Sequence, residues 1–411
     1  MADNKKPETK PAAKPAEKPA AEKPAAKKPP KPAEKPAAKT PPKPTGPFVV
    51  KTLNDNPPVN PKAPPPTEKG PEPVQLCGAR FSPCGKFIVA GGMMGEVLRW
   101  DASTDEFAPL SALTGHGGFV EWPAFGPDGK LYTADSWGRL RAWNYADASP
   151  KPLWDVAAAH DGWLRDIGVS PDGKTLATCG RDRVVRLWNA ADGKKLHEFS
   201  GHIEDTFRVA FSPDGKLLAS GDLFGNVKLW DVAAKKHLRD LDAKVLAKSD
   251  RLQDIGGVRV LGFTPDGKKL LVGGTQPKNG GNVQGLPTLI EFDPATGKQT
   301  ALQDYGAGYV YVCDVRYLAD GTRAVALSGN PGTGKLLVEK PGDKTPVYEN
   351  TKMGNVHAVS VHPTLKRLLV TGINANNQGN GRVKGKNGEM DYPGNYSPVH
   401  VVEFSAAEKT A

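Results

Sequence analysis

The chain has 411 residues, of which 38% are hydrophobic, and its formal net charge at neutral pH is +10. The charge is concentrated at one end, because residues 1–45 hold twelve lysines against five acidic residues, a balance of +7 that leaves +3 for the rest. The charge of residues 46–411 therefore does not by itself predict nucleic-acid binding, and no stretch reaches the roughly 18 apolar residues of a membrane span.

Residues 1–46 form a segment rich in lysine, proline and alanine. This segment contains no aromatic residue, and its only β-branched residues are threonines. Such a composition cannot bury enough apolar surface to offset the entropy lost on ordering, so we predict a disordered, extended arm. Its composition resembles linker-histone-like tails, which would allow loose, sequence-independent contact with phosphates. Contact with an acidic protein or a membrane surface and a solubilising spacer are the other interpretations.

A strand is predicted at residues 47–53, and a proline-rich bridge then leads to residue 74. Beyond the bridge, a four-residue turn recurs, typified by Ser170-Pro171-Asp172-Gly173, in which proline presets φ and glycine accepts a positive φ. The turn proline is found at Pro83, Pro127, Pro171, Pro213, Pro265 and Pro363, and Ala319 takes its place once. Four short strands fit each interval, and tryptophans follow at Trp100, Trp143, Trp188 and Trp230. A period of about 40–45 residues with four strands per unit predicts an all-β propeller of seven blades.

On these residues the chain resembles WD40-repeat proteins from about residue 47 to residue 404, most clearly in its second to fourth units. The resemblance implies a buried tetrad of a histidine, a serine or threonine, an aspartate and the tryptophan. The tetrad maps completely only onto the third unit, because the position six residues before the tryptophan holds no aspartate in the other units. Its members are His160, Thr178, Asp182 and Trp188. We expect them to be structural, at about 1 kcal/mol per hydrogen bond, and not catalytic.

The predicted blades cover residues 74–113, 117–156, 161–199, 203–241, 257–303, 308–349 and 355–404. The seventh blade lacks a fourth strand. WD40 propellers usually close by pairing an N-terminal strand with the last blade, so the resemblance implies that residues 47–53 fill this place and cover an exposed sheet edge. The propeller then spans residues 47–404, and residues 405–411 are a C-terminal tail.

Three connections are longer than the repeat requires: residues 244–256, 275–287 and 373–398. Long connections in compact domains are often functional, although loops rich in glycine and asparagine are also consistent with lack of structure. In WD40 proteins such connections lie on the top face. The resemblance therefore implies that they gather on one side of the ring, over blades five to seven.

The resemblance also indicates which side chains open onto the top rim, namely those three and five residues after the tetrad histidine position, whether or not it holds a histidine, and the residue before the turn aspartate. These residues are Phe119, Glu121, Trp163, Arg165, Arg181, Asp205, Phe207, Arg259 and Tyr311. Aromatic residues and arginines are enriched at interface hot spots, and an arginine over a ring adds cation–π attraction. A partner-binding rim is therefore predicted. The alternative is that the phenylalanines are buried between blades and the arginines only solvate the rim.

The function predicted from these features is a non-enzymatic scaffold that binds a protein or peptide segment on the top face. An enzyme would need acid–base or metal-binding groups around the central channel, and no such cluster is visible in the sequence, so no catalytic or metal-binding residue is predicted. The alternative function is a nucleic-acid-associated protein tethered through residues 1–45.

The cysteines indicate the compartment. Cys77, Cys84, Cys179 and Cys313 form no C-x-x-C pair, which argues against a zinc site and fits a reducing environment. We therefore expect a soluble, cytoplasmic protein without a cofactor, and no oligomeric state is predicted.

Overall fold

The computed structural model describes residues 48–54, 74–250, 253–279, 284–329, 333–373, 383–384, 390–391 and 396–403. These residues form seven four-stranded antiparallel sheets and two short hairpins, and no α-helix is found among them. The sheets are the blades of a seven-bladed β-propeller, which confirms the predicted fold class. The predicted arm at residues 1–46 and the tail at residues 405–411 lie outside the described residues.

The strands follow the repeat in chain order. They are β1 (Phe48–Leu53); β2–β5 of blade 1 (Leu76–Phe81, Phe87–Gly92, Val97–Asp101, Pro109–Leu113); β6–β9 of blade 2 (Ala124–Phe125, Leu131–Ala134, Leu140–Trp143, Pro152–Val156); β10–β13 of blade 3 (Leu164–Val169, Thr175–Gly180, Val185–Asn189, Lys195–Phe199); β14–β17 of blade 4 (Thr206–Phe211, Leu217–Asp222, Asn226–Asp231, Lys236–Asp242); the hairpin β18–β19 (Ala247–Asp250, Gln253–Gly256); β20–β23 of blade 5 (Val260–Phe263, Leu270–Asn279, Gln284–Phe292, Gln299–Asp304); β24–β27 of blade 6 (Tyr311–Tyr317, Arg323–Ser328, Gly334–Glu339, Tyr348–Asn350); and β28 (Ala358–Val361), β29 (Arg367–Thr371), the hairpin β30–β31 (Val383–Lys384, Met390–Asp391) and β32 (Val399–Glu403) of blade 7.

The ring is closed by the first strand of the chain. The seventh sheet has the order β1-β32-β29-β28, with β1 antiparallel to β32 from Phe48 opposite Glu403 to Leu53 opposite Val399. Leu53 is buried, and the next residue, Asn54, has a φ of +51°. Its amide donates to the carbonyl oxygens of both Val74 (2.7 Å) and Ser397 (2.8 Å). The end of β1 is therefore tied to the start of blade 1 as well as to blade 7.

The recurring turn explains why the repeat folds as it does. In blade 3 the Ser170 hydroxyl donates to Asp172 (2.6 Å) and accepts the N–H of Thr175 (2.9 Å), while Gly173 takes a φ of +71°. Blades 4 and 5 repeat the first of these bonds with Ser212 and Thr264, each 2.6 Å from the aspartate two residues later. Each such turn reverses the chain between the first and second strands of a blade.

The tetrad of blade 3 is a chain of hydrogen bonds between buried side chains. His160 Nδ1 lies 2.8 Å from Asp182, its Nε2 lies 2.7 Å from the Thr178 hydroxyl, and Trp188 donates its indole N–H to the same hydroxyl at 2.7 Å. Burial lowers the pKa of His160, which favours the neutral ring. A neutral ring that donates from Nδ1 and accepts at Nε2 satisfies every bond in the chain, which fits a structural role.

The expectation that only blade 3 carries a complete tetrad is wrong, because blades 2 and 4 carry one too. The contacts are His116–Asp135 (3.0 Å), His116–Thr133 (2.7 Å) and Trp143–Thr133 (2.7 Å) in blade 2, and His202–Asp222 (3.0 Å), His202–Ser220 (2.7 Å) and Trp230–Ser220 (2.8 Å) in blade 4. Their aspartates stand eight residues before the tryptophan, at the end of the second strand, where blade 3 has Gly180. The tight turn that follows brings both positions within reach of the histidine.

Replacing Thr178 by valine is expected to lower the free energy of unfolding by about 2 kcal/mol, because it leaves the Trp188 N–H and His160 Nε2 buried without partners. Thr178→Ser is the matched control, since Ser220 fills the same role in blade 4. Urea denaturation of both variants measures the difference. Equal stability of the two variants would contradict the account.

Blades 5 and 6 use a different buried network. The Arg323 side chain is 1% exposed, and its guanidinium lies 2.8 Å from Glu339, 3.4 Å from Glu291 and 2.6 Å from Gln303. The Tyr305 hydroxyl also donates to Glu339 at 2.8 Å. The network joins strands of both blades and therefore holds blades 5 and 6 together. The third strands of these two blades do not end in a tryptophan.

All three long connections contain strands, the third being the site of the hairpin β30–β31. Residues 275–287 are not a lengthened turn, because β21 and β22 stay paired from Thr275 opposite Pro287 to Asn279 opposite Gln284. Residues 244–256 contain a 3₁₀ turn at Lys244–Leu246 and the hairpin β18–β19. The Lys248 ammonium donates to the Lys278 carbonyl oxygen (3.1 Å), so these two insertions pack together beside blade 5. Most of the third connection lies outside the described residues.

Candidate functional site

One face of the propeller is built from two kinds of connection. In blades 1 to 4, an N–H in the turn between the second and third strands donates to a carbonyl in the connection that enters the first strand. The bonds are Met93 to Gln75 (3.0 Å), Ser136 to Phe119 (2.9 Å), Arg181 to Trp163 (2.9 Å) and Leu223 to Asp205 (2.9 Å). We call the face formed by these turns and connections the top face.

Six of the nine predicted rim residues form one continuous line of contacts across blades 2 to 6. We call this line the rim cluster: Phe119, Trp163, Arg165, Phe207, Arg259 and Tyr311. Successive separations between ring centroids, or between a guanidinium carbon and a ring centroid, are 5.6, 3.7, 4.9, 4.5 and 5.7 Å. From Trp163 to Tyr311, aromatic rings thus alternate with guanidinium groups, and each guanidinium lies between two rings.

Two further predicted residues flank Arg165. Its guanidinium lies 3.5 Å from Glu121 and 3.6 Å from Asp205, with all three side chains 16–22% exposed. The Arg165 Nε and the Trp163 indole N–H are buried and have no hydrogen-bond partner within the part of the chain that the structure describes. Unpaired buried donors are costly, so the centre of the cluster leaves part of its hydrogen-bonding capacity unsatisfied.

The ninth predicted residue, Arg181, does not join the cluster. Its side chain is exposed, and its link to the cluster is the backbone bond from its N–H to the Trp163 carbonyl. The turn between the second and third strands of blade 3 holds Arg181 in place, whereas the cluster side chains belong to the connections and first strands.

The top face also exposes two large side chains that were not predicted as site residues. Met94 is 82% exposed and Trp137 is 72% exposed, and both occupy turns between second and third strands. Phe119, in the rim cluster, is 39% exposed. An apolar residue directly before a turn glycine, as in Met94-Gly95 and Trp137-Gly138, is the sequence signal that could have found them, since such a tip has little chance of burial.

The central channel contains charged groups, several of them arginines, that were not predicted as site residues. A cavity of about 520 Å³ is lined by residues of the first strands, including Arg80, Asp166, Arg208, Asp314 and Arg316. Arg80 and Arg316 lie 3.0 and 3.2 Å from Asp314. These two arginines hold the pKa of Asp314 below its usual value although burial opposes them, whereas burial raises the pKa of Asp166.

The channel residues share a position that sequence inspection could have identified. They stand five or three residues before the turn proline, or before Ala319 in blade 6, because alternate residues of an innermost strand face the channel. At the first of these positions stand Gly78, Trp122, Asp166, Arg208, Val260, Asp314 and Ala358.

Trp122 lies between the channel and the top face. Its ring lies 4.7 Å from the Arg80 guanidinium and 4.8 Å from that of Arg208. Gly78 makes room for it, because a Cβ at that residue would lie 2.6 Å from the indole. Trp122 lines both the channel cavity and a second cavity of about 470 Å³ that opens on the top face, the top pocket.

The described residues give no evidence for a metal centre. Within them, no three His, Cys, Asp or Glu side chains come together closely enough to hold a metal ion. The four cysteines are free thiols, and burial raises the pKa of Cys77 to about 12. In the described part of the chain, no helix has the length and apolarity needed to cross a membrane.

Two adjacent segments match the family model described as "WD domain, G-beta repeat", at residues 153–189 and 193–231. Each match runs from the outer strand of one blade to the third strand of the next. In the same way β1, which precedes blade 1 in the sequence, is the outer strand of blade 7. The chain therefore carries WD40 repeats within its propeller.

Several curated relatives match part of the chain. Protein HIR1 of Kluyveromyces lactis is 28% identical over 159 residues, 32% of this chain and 18% of the relative. Apoptotic protease-activating factor 1 of Homo sapiens is 36% identical over 103 residues, 24% of this chain and 8% of the relative. Nuclear distribution protein PAC1 of Coccidioides posadasii is 35% identical over 107 residues, 24% of this chain and 22% of the relative. Each match thus spans less than a quarter of the relative's length.

Proposed function

Because this seven-bladed β-propeller carries WD40 repeats, we propose that it is a non-enzymatic scaffold that binds a protein or peptide segment on its top face. The observation that carries the proposal is the rim cluster, in which two guanidinium groups alternate with four aromatic rings across blades 2 to 6. The proposed location is the cytoplasm.

The physical character of the rim cluster suits a protein partner. Arg165 is held between Trp163 and Phe207 and between two carboxylates, so little side-chain entropy remains to be lost on binding. Rigid aromatic and arginine anchors of this kind carry most of the binding energy in protein interfaces.

The exposed side chains beside the cluster extend the proposed surface. Trp137 and Met94 together present a flexible thioether and a large indole to solvent on the same face. Met94 lies in a turn of blade 1, and Trp137 lies in a turn of blade 2. Both are next to Phe119, where the rim cluster ends. Exposed apolar groups that are rimmed by charges are typical of interaction sites.

An enzymatic function is less well supported. The channel carboxylate Asp314 is paired with two arginines, and Asp166 accepts the N–H of Val209 at 3.1 Å. Groups that are satisfied in this way stabilise the inner strands, and no nucleophile with a hydrogen-bonded base stands beside them in the described residues.

A nucleic-acid-associated function through residues 1–45 is the alternative proposal. The observation that favours it is the +7 balance of charge in this segment. It predicts binding to duplex DNA or RNA that weakens steeply with salt and disappears when residues 1–45 are removed.

The test of the proposed function compares partner capture from a nuclease-treated lysate of the source organism by the wild-type chain and by Trp163→Ala/Arg165→Ala. A partner is expected to be captured by the wild type and reduced at least about tenfold by the variant, because hot-spot truncations cost about 2 kcal/mol or more. Thermal denaturation of the variant establishes that it is folded.

The matched control is Leu365→Ala/Lys366→Ala, which removes an apolar and a basic side chain at an exposed turn between first and second strands, on the opposite face. It should capture the partner as the wild type does. Equal capture by the rim variant would overturn the proposed function, and loss in the control alone would move the site to the other face.

A further inference from the structure

The top pocket contains two arginines that lie within 4 Å of no carboxylate in the described part of the chain. The guanidinium groups of Arg208 and Arg259 both line the cavity of about 470 Å³. Their neighbours Arg80, Arg165 and Arg316 each lie within 4 Å of an aspartate or glutamate. Within the described residues, neither Arg208 nor Arg259 makes an ion pair.

The two guanidinium groups use one edge for structure and leave the other open. Arg208 donates from Nε to the Arg259 carbonyl (2.7 Å) and from Nη1 to the Phe207 carbonyl (3.3 Å). Arg259 donates from Nε to the Gly256 carbonyl at 3.1 Å. For Arg208 Nη2 and both terminal nitrogens of Arg259, no hydrogen-bond acceptor is found in the described part of the chain.

Stacking fixes the planes of both groups. Arg208 lies 4.8 Å from the ring of Trp122, and Arg259 lies between Phe207 (4.5 Å) and Tyr311 (5.7 Å). Burial and the neighbouring charges of Arg208 and Arg165 lower the pKa of Arg259. Planar guanidinium groups that are held in this way are prepared to bind a carboxylate at low entropic cost.

One carboxylate, Glu121, also lines the pocket, but it is turned to another partner. Its Oε1 lies 3.5 Å from Arg165 in the rim cluster, and burial raises its pKa although Arg208, Arg165 and Arg259 oppose the effect. The charges that line the pocket are therefore two guanidinium groups against one carboxylate that is shared with Arg165.

The rest of the pocket is mostly apolar. Leu76, Met93, Tyr311 and Ile373 contribute to its wall, and its mouth adjoins the rim cluster through Arg259 and Tyr311, which belong to both. The cavity has room for a side chain that enters from a segment lying on the rim. A long polar side chain with a charged tip suits an apolar wall and a basic floor.

We propose that the top pocket receives the side-chain carboxylate of an aspartate or glutamate in the bound partner segment, with Arg208 and Arg259 as its hydrogen-bond donors. This inference rests on the proposed function, because the segment must lie on the top face. It identifies the partner as an acidic peptide segment.

The experiment uses the labelled full chain and a bead library of random short peptides, acetylated and amidated so that side chains carry the only carboxylates. Peptides that bind the wild type and not Trp163→Ala/Arg165→Ala are resynthesised with each Asp replaced by Asn and each Glu by Gln. One such replacement is expected to weaken binding at least about tenfold, as loss of a charge-assisted bidentate contact does.

The same pairs of peptides are then measured against Arg208→Gln/Arg259→Gln, with Arg316→Gln as the control for removing a channel charge outside the top pocket. The double variant should bind the acid and amide forms equally, and the control should still discriminate between them. Because the peptide replacement is measured on the wild type, the inference stays testable even if the double variant does not fold.

The outcomes separate the inference from the proposed function. Equal binding of acid and amide forms by the wild type, or unchanged discrimination by a folded double variant, overturns the carboxylate site and leaves the rim as a peptide-binding surface. Failure to select any peptide that depends on Trp163 and Arg165 overturns both.

Discussion

Deleting residues 1–55 is expected to lower the free energy of unfolding by at least about 3 kcal/mol, because it removes a ladder partner of β32 and the burial of Leu53. It also removes Asn54, whose amide bonds two carbonyls across the join between blades 1 and 7. The ring then closes only through side-chain packing, and β32 becomes an exposed edge. Chemical denaturation measures the change.

Deleting residues 1–45 is the matched control for this experiment. It removes the basic segment and keeps β1, so the unfolding free energy should stay within about 0.5 kcal/mol of the wild-type value. If the two deletions had the same stability, β1 would not be the closing element of the ring.

Replacing Arg323 by alanine is expected to destabilise the propeller by about 3–5 kcal/mol, because it leaves the buried carboxylate of Glu339 without its principal partner. Tyr305 and Gln303 remain as donors to Glu339, but neither carries a positive charge. The value comes from the free energy of unfolding in urea at neutral pH.

Arg139→Ala provides the contrast, since the Arg139–Asp155 ion pair is 2.6 Å long but about a third exposed, and such pairs contribute about 0–1 kcal/mol. A second variant, Arg323→Met/Glu339→Leu, should recover much of the loss because it buries no unpaired charge. An Arg323→Ala variant no less stable than Arg139→Ala would mean that the network does not hold blades 5 and 6 together.

The fold could be predicted because each blade repeats the same local signals. The Ser-Pro-Asp-Gly turn and the closing tryptophan mark the strands of blades 3 and 4, and both signals act within a single blade. The missing fourth strand of blade 7 predicts a closing strand at residues 47–53, and the structure pairs Phe48–Leu53 with Val399–Glu403.

The tetrads of blades 2 and 4 could not be read at a single fixed spacing. A spacing of six residues, as from Asp182 to Trp188, finds only the tetrad of blade 3, whereas Asp135 and Asp222 lie eight residues before their tryptophans. The turn between the second and third strands brings an aspartate at either spacing close to the histidine of its blade. The geometry is therefore the same in these blades, although the spacing in the sequence is not.

The buried arginines escaped prediction for another reason. Arg323 meets Glu291, Gln303 and Glu339, which come from three strands of two blades, and no local pattern links such positions. Arg208 does follow a pattern, because it stands five residues before Pro213. That pattern predicts a channel residue only when it is known that this position faces the channel. The predicted rim residues follow from a fixed offset from the tetrad histidine position, and their role in binding a partner stays a prediction.

The most direct test of a partner on the top face is photo-crosslinking from two exposed apolar positions on opposite faces. A benzoylphenylalanine replaces Trp137, 72% exposed on the top face, or Leu365, 48% exposed on the other. In lysate of the source organism, the first chain is expected to form a discrete crosslinked product that Trp163→Ala/Arg165→Ala abolishes, and the second none. A product from Leu365 alone would contradict a top-face scaffold.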